Sequence, residues 1–309
     1  MKCLINCSAA SAEWVREYFP QTHPYMLKIA NKPLLEFYID FCSLLGVRHV
    51  RLIMEEPDVS IDRYFMGGAK WDIDISYGFT RSCDDLDDII SKNRNFIGES
   101  SLMIISDYVF LRYDKEVNYE STIRRTTSWQ MVGENDGGLR YIQAADMDKK
   151  IADLELEQYK TGRVDLVKID SIKKYYHINM ILLYETATNY ILPCYNNEEG
   201  FFIGHNVSID RHCMIKKPTM LGDNIQLEDF SSVGPGAIIG SNVMICSGTT
   251  VENSIIYEYS YLGEHLEFRN KIVHKNKVIN PLTGDSVELV DDFLLSEVNT
   301  DCLAKGVKL

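Results

Sequence analysis

The 309-residue chain is 45% apolar and 25% charged, an ordinary globular balance with enough length for two hydrophobic cores. Its net charge of −13 argues against a nucleic-acid partner, because a phosphate backbone asks for a basic face. No apolar run reaches the ~18 residues of a membrane span, and the opening MKCLINCSAASAEW is too weakly apolar for a secretory signal, so no membrane partner is expected. Cys3, Cys7, Cys42, Cys83, Cys194, Cys213, Cys246 and Cys302 are scattered without a Cys-x-x-Cys pair. That pattern predicts neither a disulfide framework nor a zinc site, and it suits a reducing cytoplasm.

In chain order, KCLINC (2–7) reads as a short buried strand. NKPLLEFYIDFCSLLG (31–46) follows as a helix, with Pro33 in its first turn, apolar residues at helical spacing and Gly46 at its end. VRHVRLIMEE (47–56) is the next strand, SIDRYFMGG (60–68) a short helix and WDIDISYGF (71–79) an alternating strand. SCDDLDDIISKNRNFIG (82–98) reads as a helix whose acids favour its N-terminus, and SLMIISDYVF (101–110) as a buried strand with Asp107 at its functional end. This alternation predicts a parallel sheet covered on both faces, with ligands bound beyond the carboxyl ends of its strands. Cys7 and Asp107 therefore belong to one cleft.

From 111 to 170 the pattern loosens. SWQMVG and LRYIQAAD flank the turn signal ENDGG, and KKIADLELEQY and VDLVKI read as two more strands. SIKKYYHINMILLYETATNYI (171–191) predicts a long helix with Ser171 as N-cap, and LPCYNNEEG (192–200) a linker.

Apolar residues then fall at every sixth position: Ile203, Ile209, Ile215, Leu221, Leu227, Val233, Ile239, Ile245 and Val251. A period of six is neither helical nor that of a simple strand. It suits a parallel coil with three flat faces per turn, in which one inward side chain per face stacks on the coil below. The phase slips by one after Val251 and resumes at Ile256, Leu262 and Phe268, giving about four coils. The expected domains are 1–195 as α/β, 196–280 as coil and 281–309 as a tail.

The repeat resembles the left-handed β-helix of hexapeptide-repeat proteins, and VENSIIYEYSYLGEHLEFRNKIV (251–273) resembles the form joined to sugar-phosphate nucleotidyltransferases. IANKPLLEFYI (29–39) is similar to that family's first long helix, FIGESSLMIISD (96–107) to its strand ending in a magnesium-binding aspartate, and SIKKYYHINMILL (171–183) to the helix leading into the β-helix. The nearest subgroup is the mannose-1-phosphate guanylyltransferase or glucose-1-phosphate type. The resemblance covers roughly residues 1–280. It implies a Rossmann-like α/β nucleotidyltransferase domain followed by a left-handed parallel β-helix of hexapeptide repeats. It also implies transfer of a nucleotide to a hexose 1-phosphate with release of pyrophosphate and with Mg²⁺ as cofactor, in polysaccharide or nucleotide-sugar biosynthesis. Asp107 is the implied metal and catalytic carboxylate, Asp170 a second metal ligand, and Lys28 the lysine nearest the family's catalytic position. Ser8, Ala9, Ala10, Ser11, Ala12 and Glu13 occupy the nucleotide-binding loop, and Ser82 and Asp85 the base-contact region.

This chain departs from the family at those positions. The family's Gly-x-Gly-Thr-Arg loop presents backbone amides and an arginine to the triphosphate. Here its glycines become Ala9 and Ser11 and its arginine becomes Glu13, which would repel a triphosphate. His23, Pro24 and Tyr25 stand near the expected lysine, and Lys168 near the expected second aspartate, where its ammonium is a candidate substitute for the metal. Nucleotidyl transfer works mainly by positioning and charge neutralisation, so a mouth stripped of positive charge predicts activity that is reduced or lost. Two alternatives stand beside an active enzyme. One is a non-catalytic regulatory or scaffold subunit that binds a sugar nucleotide, in a homo-oligomer or a hetero-oligomer with an active paralogue. The other is a hexapeptide acyltransferase using His205, His212, His265 or His274 as base.

Overall fold

The computed structural model describes residues 1–8, 12–119, 127–131, 138–159, 164–193, 196–198 and 200–298. The chain divides into two compact units. The first comprises Met1–Leu27, Pro33–Asp170 and Asn189–Ile191, and the second Lys28–Lys32, Ser171–Thr188 and Leu192–Leu309. The helical segment after Ser171, read from sequence as part of the first domain, thus belongs to the compact unit built on the coil, as does the short Lys28–Lys32 run.

The first unit begins with β1 (Lys2–Asn6), α1 (Glu13–Tyr18), α2 (Leu34–Leu44), β2 (His49–Met54), α3 (Val59–Phe65), β3 (Asp74–Phe79) and α4 (Leu86–Lys92). It continues through β4 (Leu102–Ile105), β5 (Val109–Arg112), β6 (Trp129–Met131), β7 (Leu139–Ile142), β8 (Glu157–Tyr159) and β9 (Asp165–Lys168). Seven strands form one sheet in the order β8-β6-β7-β4-β1-β2-β3. β4, β1, β2 and β3 run parallel, as the strand–helix alternation predicts, whereas β7 runs antiparallel to both β4 and β6. The central strands are apolar on both faces because helices cover both: Cys3, Ile5, Leu52, Ile53, Leu102, Met103 and Ile105 are completely buried. The strand expected over 101–110 is broken at Asp107, whose φ of 65° turns the chain, and β5 joins β9 in a separate two-stranded antiparallel sheet.

In the second unit, α5 (Ile172–Ile181) starts on the Ser171 side chain, which accepts from the Lys174 N–H. It then loosens into a wider turn at Leu182–Thr186 and a tight one at Ala187–Asn189, where a single helix to 191 was expected. The repeat region forms three parallel sheets, and consecutive strands pass from one sheet to the next. Partners lie eighteen residues apart through Ile203↔Leu221↔Ile239, Ile209↔Leu227↔Ile245 and Ile215↔Val233↔Val251. From Ile239↔Ile256 the offset is seventeen, so the phase slip is a corner shortened by one residue, and a second shortening carries Ile256 onto Val273. The inward residues, among them Leu221, Val233, Ile239, Ile245, Val251 and Ile256, make one buried stack. Gly222 and Gly240 stand where stacked coils approach most closely: a Cβ on Gly222 would lie 2.8 Å from the Gly240 carbonyl carbon. Asn206, Asn224 and Asn242 turn one corner at positive φ and hydrogen-bond to one another along it at 2.8 and 3.0 Å. Beyond residue 280, Ser286–Glu288 and Leu295–Glu297 add antiparallel strands to the far end of the coil.

Candidate functional site

The site predicted by topology is the carboxyl end of β1 and β4. Tyr25 ties these ends together: its buried hydroxyl lies 2.9 Å from the Asn6 carbonyl and 3.2 Å from the Asp107 carbonyl. Tyr108, in edge-to-face contact with Tyr25 at 5.3 Å, donates to the Pro24 carbonyl at 2.8 Å. Burial raises the Tyr25 pKa well above the ordinary tyrosine value, so this hydroxyl acts as a structural donor. Cys7 shares the place and is equally buried; its thiol pKa is pushed up, which removes it as a nucleophile. His23 accepts from the Tyr25 N–H at 3.3 Å, and burial lowers its pKa, so at neutral pH it supplies no positive charge where the family resemblance expects a lysine nearby.

Asp107 is exposed, in the left-handed region at φ 65°. A non-glycine residue there costs roughly 1–2 kcal/mol and is held only by its surroundings. The antiparallel ladder of β9 and β5 pairs Lys168 with Val109, and the Ile169 N–H donates to the Tyr108 carbonyl at 3.0 Å. Asp170 directly follows Ile169 and Asp107 directly precedes Tyr108, so both exposed residues flank that hydrogen bond. The two residues expected to bind metal therefore lie next to one end of one ladder.

Sequence reasoning missed Arg140. It lies on β7 opposite Ile104 of β4, and its Nη1 donates to Ser106 Oγ at 3.1 Å, so the guanidinium reaches the strand end beside Asp107. Burial lowers its pKa and the Asp107 charge raises it, yet the two make no ion pair. Its Nε is buried and has no hydrogen-bond partner among the described residues. Such an unmet donor costs about 1–3 kcal/mol. The only local signal was an arginine alternating with buried Leu139 and Tyr141 in LRYI. The long-range β4–β7 pairing that carries it to Asp107 is not written in that segment.

Magnesium is commonly held by one or two carboxylates together with phosphate oxygens. Asp107 and Asp170 alone would meet that demand. The Arg140 guanidinium, near enough to Asp107 to feel its charge, opposes a dication there, because like charges repel. Among the described residues no three His, Cys, Asp or Glu side chains converge on one point. Two carboxylates beside a guanidinium are a weaker donor set for the ion than the same two alone.

The other predicted residues are dispersed. Ala9, Ala10 and Ser11 lie outside the described residues. Ser8 donates its N–H to Asn6 Oδ1 at 3.2 Å, Ala12 is buried, and Glu13 is exposed in the first turn of α1. Trp14, half-buried on the same helix, donates to the Ile169 carbonyl at 2.9 Å. Ser82 is exposed, and Asp85 caps α4 through a capping box with Asp88. Lys28 lies in the second unit, where its ammonium pairs with Glu258 and its carbonyl accepts from Tyr175 at 2.5 Å. The Lys168 ammonium has no hydrogen bond or ion pair among the described residues, so it does not stand in for a metal through any contact seen here. Of the coil histidines, His212 stacks on Phe230 at 4.8 Å with Nδ1 3.2 Å from Asp229, and burial lowers His274 to a pKa of about 4.

No family model matches the chain. It is 21% identical over 338 residues to a UTP–glucose-1-phosphate uridylyltransferase from Synechocystis sp., covering 87% of each chain. Among solved structures, a glucose-1-phosphate thymidylyltransferase from Bacillus anthracis in complex with sucrose is 10% identical, with a TM-score of 0.41 over 51% of this chain and 79% of that one. The first unit is an α/β unit around a mixed, mostly parallel sheet, and the parallel strands of the second fit a β-helix. No helix among the described residues is long and apolar enough to cross a membrane. Along most of its length, the chain is similar in sequence to a sugar-phosphate nucleotidyltransferase.

Proposed function

We propose that this protein is a sugar-phosphate nucleotidyltransferase relative that binds a sugar phosphate or sugar nucleotide at the mouth of β1 and β4, with nucleotidyl transfer much reduced or lost. The observation that supports this reading is Arg140, whose guanidinium donates to Ser106 Oγ next to the exposed Asp107, at the strand end that the Ile169–Tyr108 hydrogen bond adjoins. The scaffold for phosphate chemistry is retained, while its charge arrangement no longer suits a dication. The exposed Glu13 in the place of a phosphate-clamping arginine supports the same reading. Removing one preorganised donor from a transfer site costs about 3 kcal/mol in activation free energy, roughly a hundredfold in rate, and here several are replaced.

On this reading the protein is a cytoplasmic regulatory or scaffold subunit. It has a left-handed hexapeptide β-helix and associates through its coil with a second copy or an active paralogue. The test is pyrophosphate release with Mg²⁺ across the four NTPs and several hexose 1-phosphates. No turnover is expected, while sugar-nucleotide binding is expected by calorimetry. Turnover that disappears in Asp107→Ala would establish an active enzyme instead.

A further inference from the structure

We propose that Arg140 holds the phosphate of a sugar phosphate or sugar nucleotide in place of a divalent cation, while Asp107 accepts hydrogen bonds from the ligand's hydroxyls. This inference rests on the reading that the mouth binds such a ligand, and adds that it does so without metal. A guanidinium carries five N–H donors in a planar fork. One is spent on Ser106 Oγ at 3.1 Å, which fixes the fork on the end of β4. The Nε–H is buried beyond a ligand's reach, so the part of the fork open to a ligand is its remaining Nη hydrogens, and no carboxylate among the described residues closes on the group as an ion pair. A phosphate oxygen is the acceptor that suits this arrangement, and bidentate arginine–phosphate contacts are strong and directional.

Asp107 supplies the complementary half. Its exposed carboxylate accepts but cannot donate, so it disfavours the phosphate itself and favours a ligand rich in hydroxyl groups. A phosphate joined to a sugar offers both. A bare polyphosphate offers only the first and should bind less well. Because the positive charge belongs to the chain, the complex needs no ion to neutralise it.

The test is isothermal calorimetry on the full chain with glucose 1-phosphate and UDP-glucose, in EDTA and then with excess Mg²⁺. Binding is expected in EDTA, unchanged by Mg²⁺ and weakened as salt rises. Arg140→Gln should weaken it by at least about tenfold, and Arg140→Lys, which keeps the charge but loses the fork, by less. Thermal melting checks that each variant is folded. If Arg140→Gln is unfolded, the comparison of EDTA with Mg²⁺ on the unaltered chain still decides. Binding abolished by EDTA, or a folded Arg140→Gln that binds as tightly as the unaltered chain, would overturn the role of Arg140 and leave the ligand-binding reading standing. Failure of both probes to bind, with or without Mg²⁺, would overturn both.

Discussion

Single side chains decide what this cleft can do. The expectation that the loop at 8–13 and the residues near 23 lack the charges of the resembled family comes from residue identity alone. The gain of Arg140 does not, because it depends on which strand β7 chooses as neighbour. The expectation of a mouth without positive charge is therefore corrected by one guanidinium. Asp107 illustrates the same division. An aspartate inside an apolar run signals a break, but only the backbone shows a left-handed turn that sends the next strand to another sheet. Asp85 was a candidate for nucleotide contact, and its carboxylate accepts the Asp88 N–H at 2.8 Å as a helix cap. Asp85→Ala is expected to lower the unfolding free energy by about 1 kcal/mol in urea titration and to leave sugar-nucleotide affinity unchanged. Lost affinity at equal stability would instead assign it to the ligand.

Among the elements, the coil was the most legible, since its period is local and each coil repeats the same demand for an inward apolar residue. Nine in-phase positions predicted the stacking that the register shows, and the phase slip proved to be a shortened corner. The helix after Ser171 was legible at its start, where capping is local, and less so at its end, where it loosens after Ile181. His274, near the end of the coil, gives this element a pH dependence. It packs edge-on against Tyr257 at 5.1 Å, and burial, aided by Lys275 and Lys277, lowers its pKa from 6.5 to about 4. As pH falls below 6.5 the unfolded chain takes up the proton first, so stability contributed above that value is lost between 6.5 and 4. The loss should reach about 2 kcal/mol by pH 5. Urea midpoints at pH 7.5 and 5 should show it, and His274→Gln should flatten that difference; an equal slope in the variant would place the effect elsewhere.

At the scale of the molecule, the uncovered first coil is the feature with consequences. Among the described residues Val207–Ile209 and Met214–Ile215 are the last strands of their sheets; Ile209, a repeat position, is 45% exposed, and Met214, next to the repeat position Ile215, is 56% exposed. Open strand edges with apolar side chains recruit pairing partners. Light scattering at micromolar concentration is therefore expected to give a mass above the 35.5 kDa of one chain. Ile209→Lys should shift it toward that value. A monomer in the unaltered protein would refute self-association.

By itself, the sequence determined the local, repeating features: the parallel core of the first unit, and the six-residue repeat and its slip. Each rests on spacing or side-chain identity within a few turns of chain. The tertiary structure alone decided the meeting of distant segments. It set Lys28 on Glu258, paired Ile169 with Tyr108 next to Asp107, and brought Arg140 to the same strand end. Those outcomes follow from antiparallel pairings and packing between residues far apart in sequence, where no local periodicity records the partner.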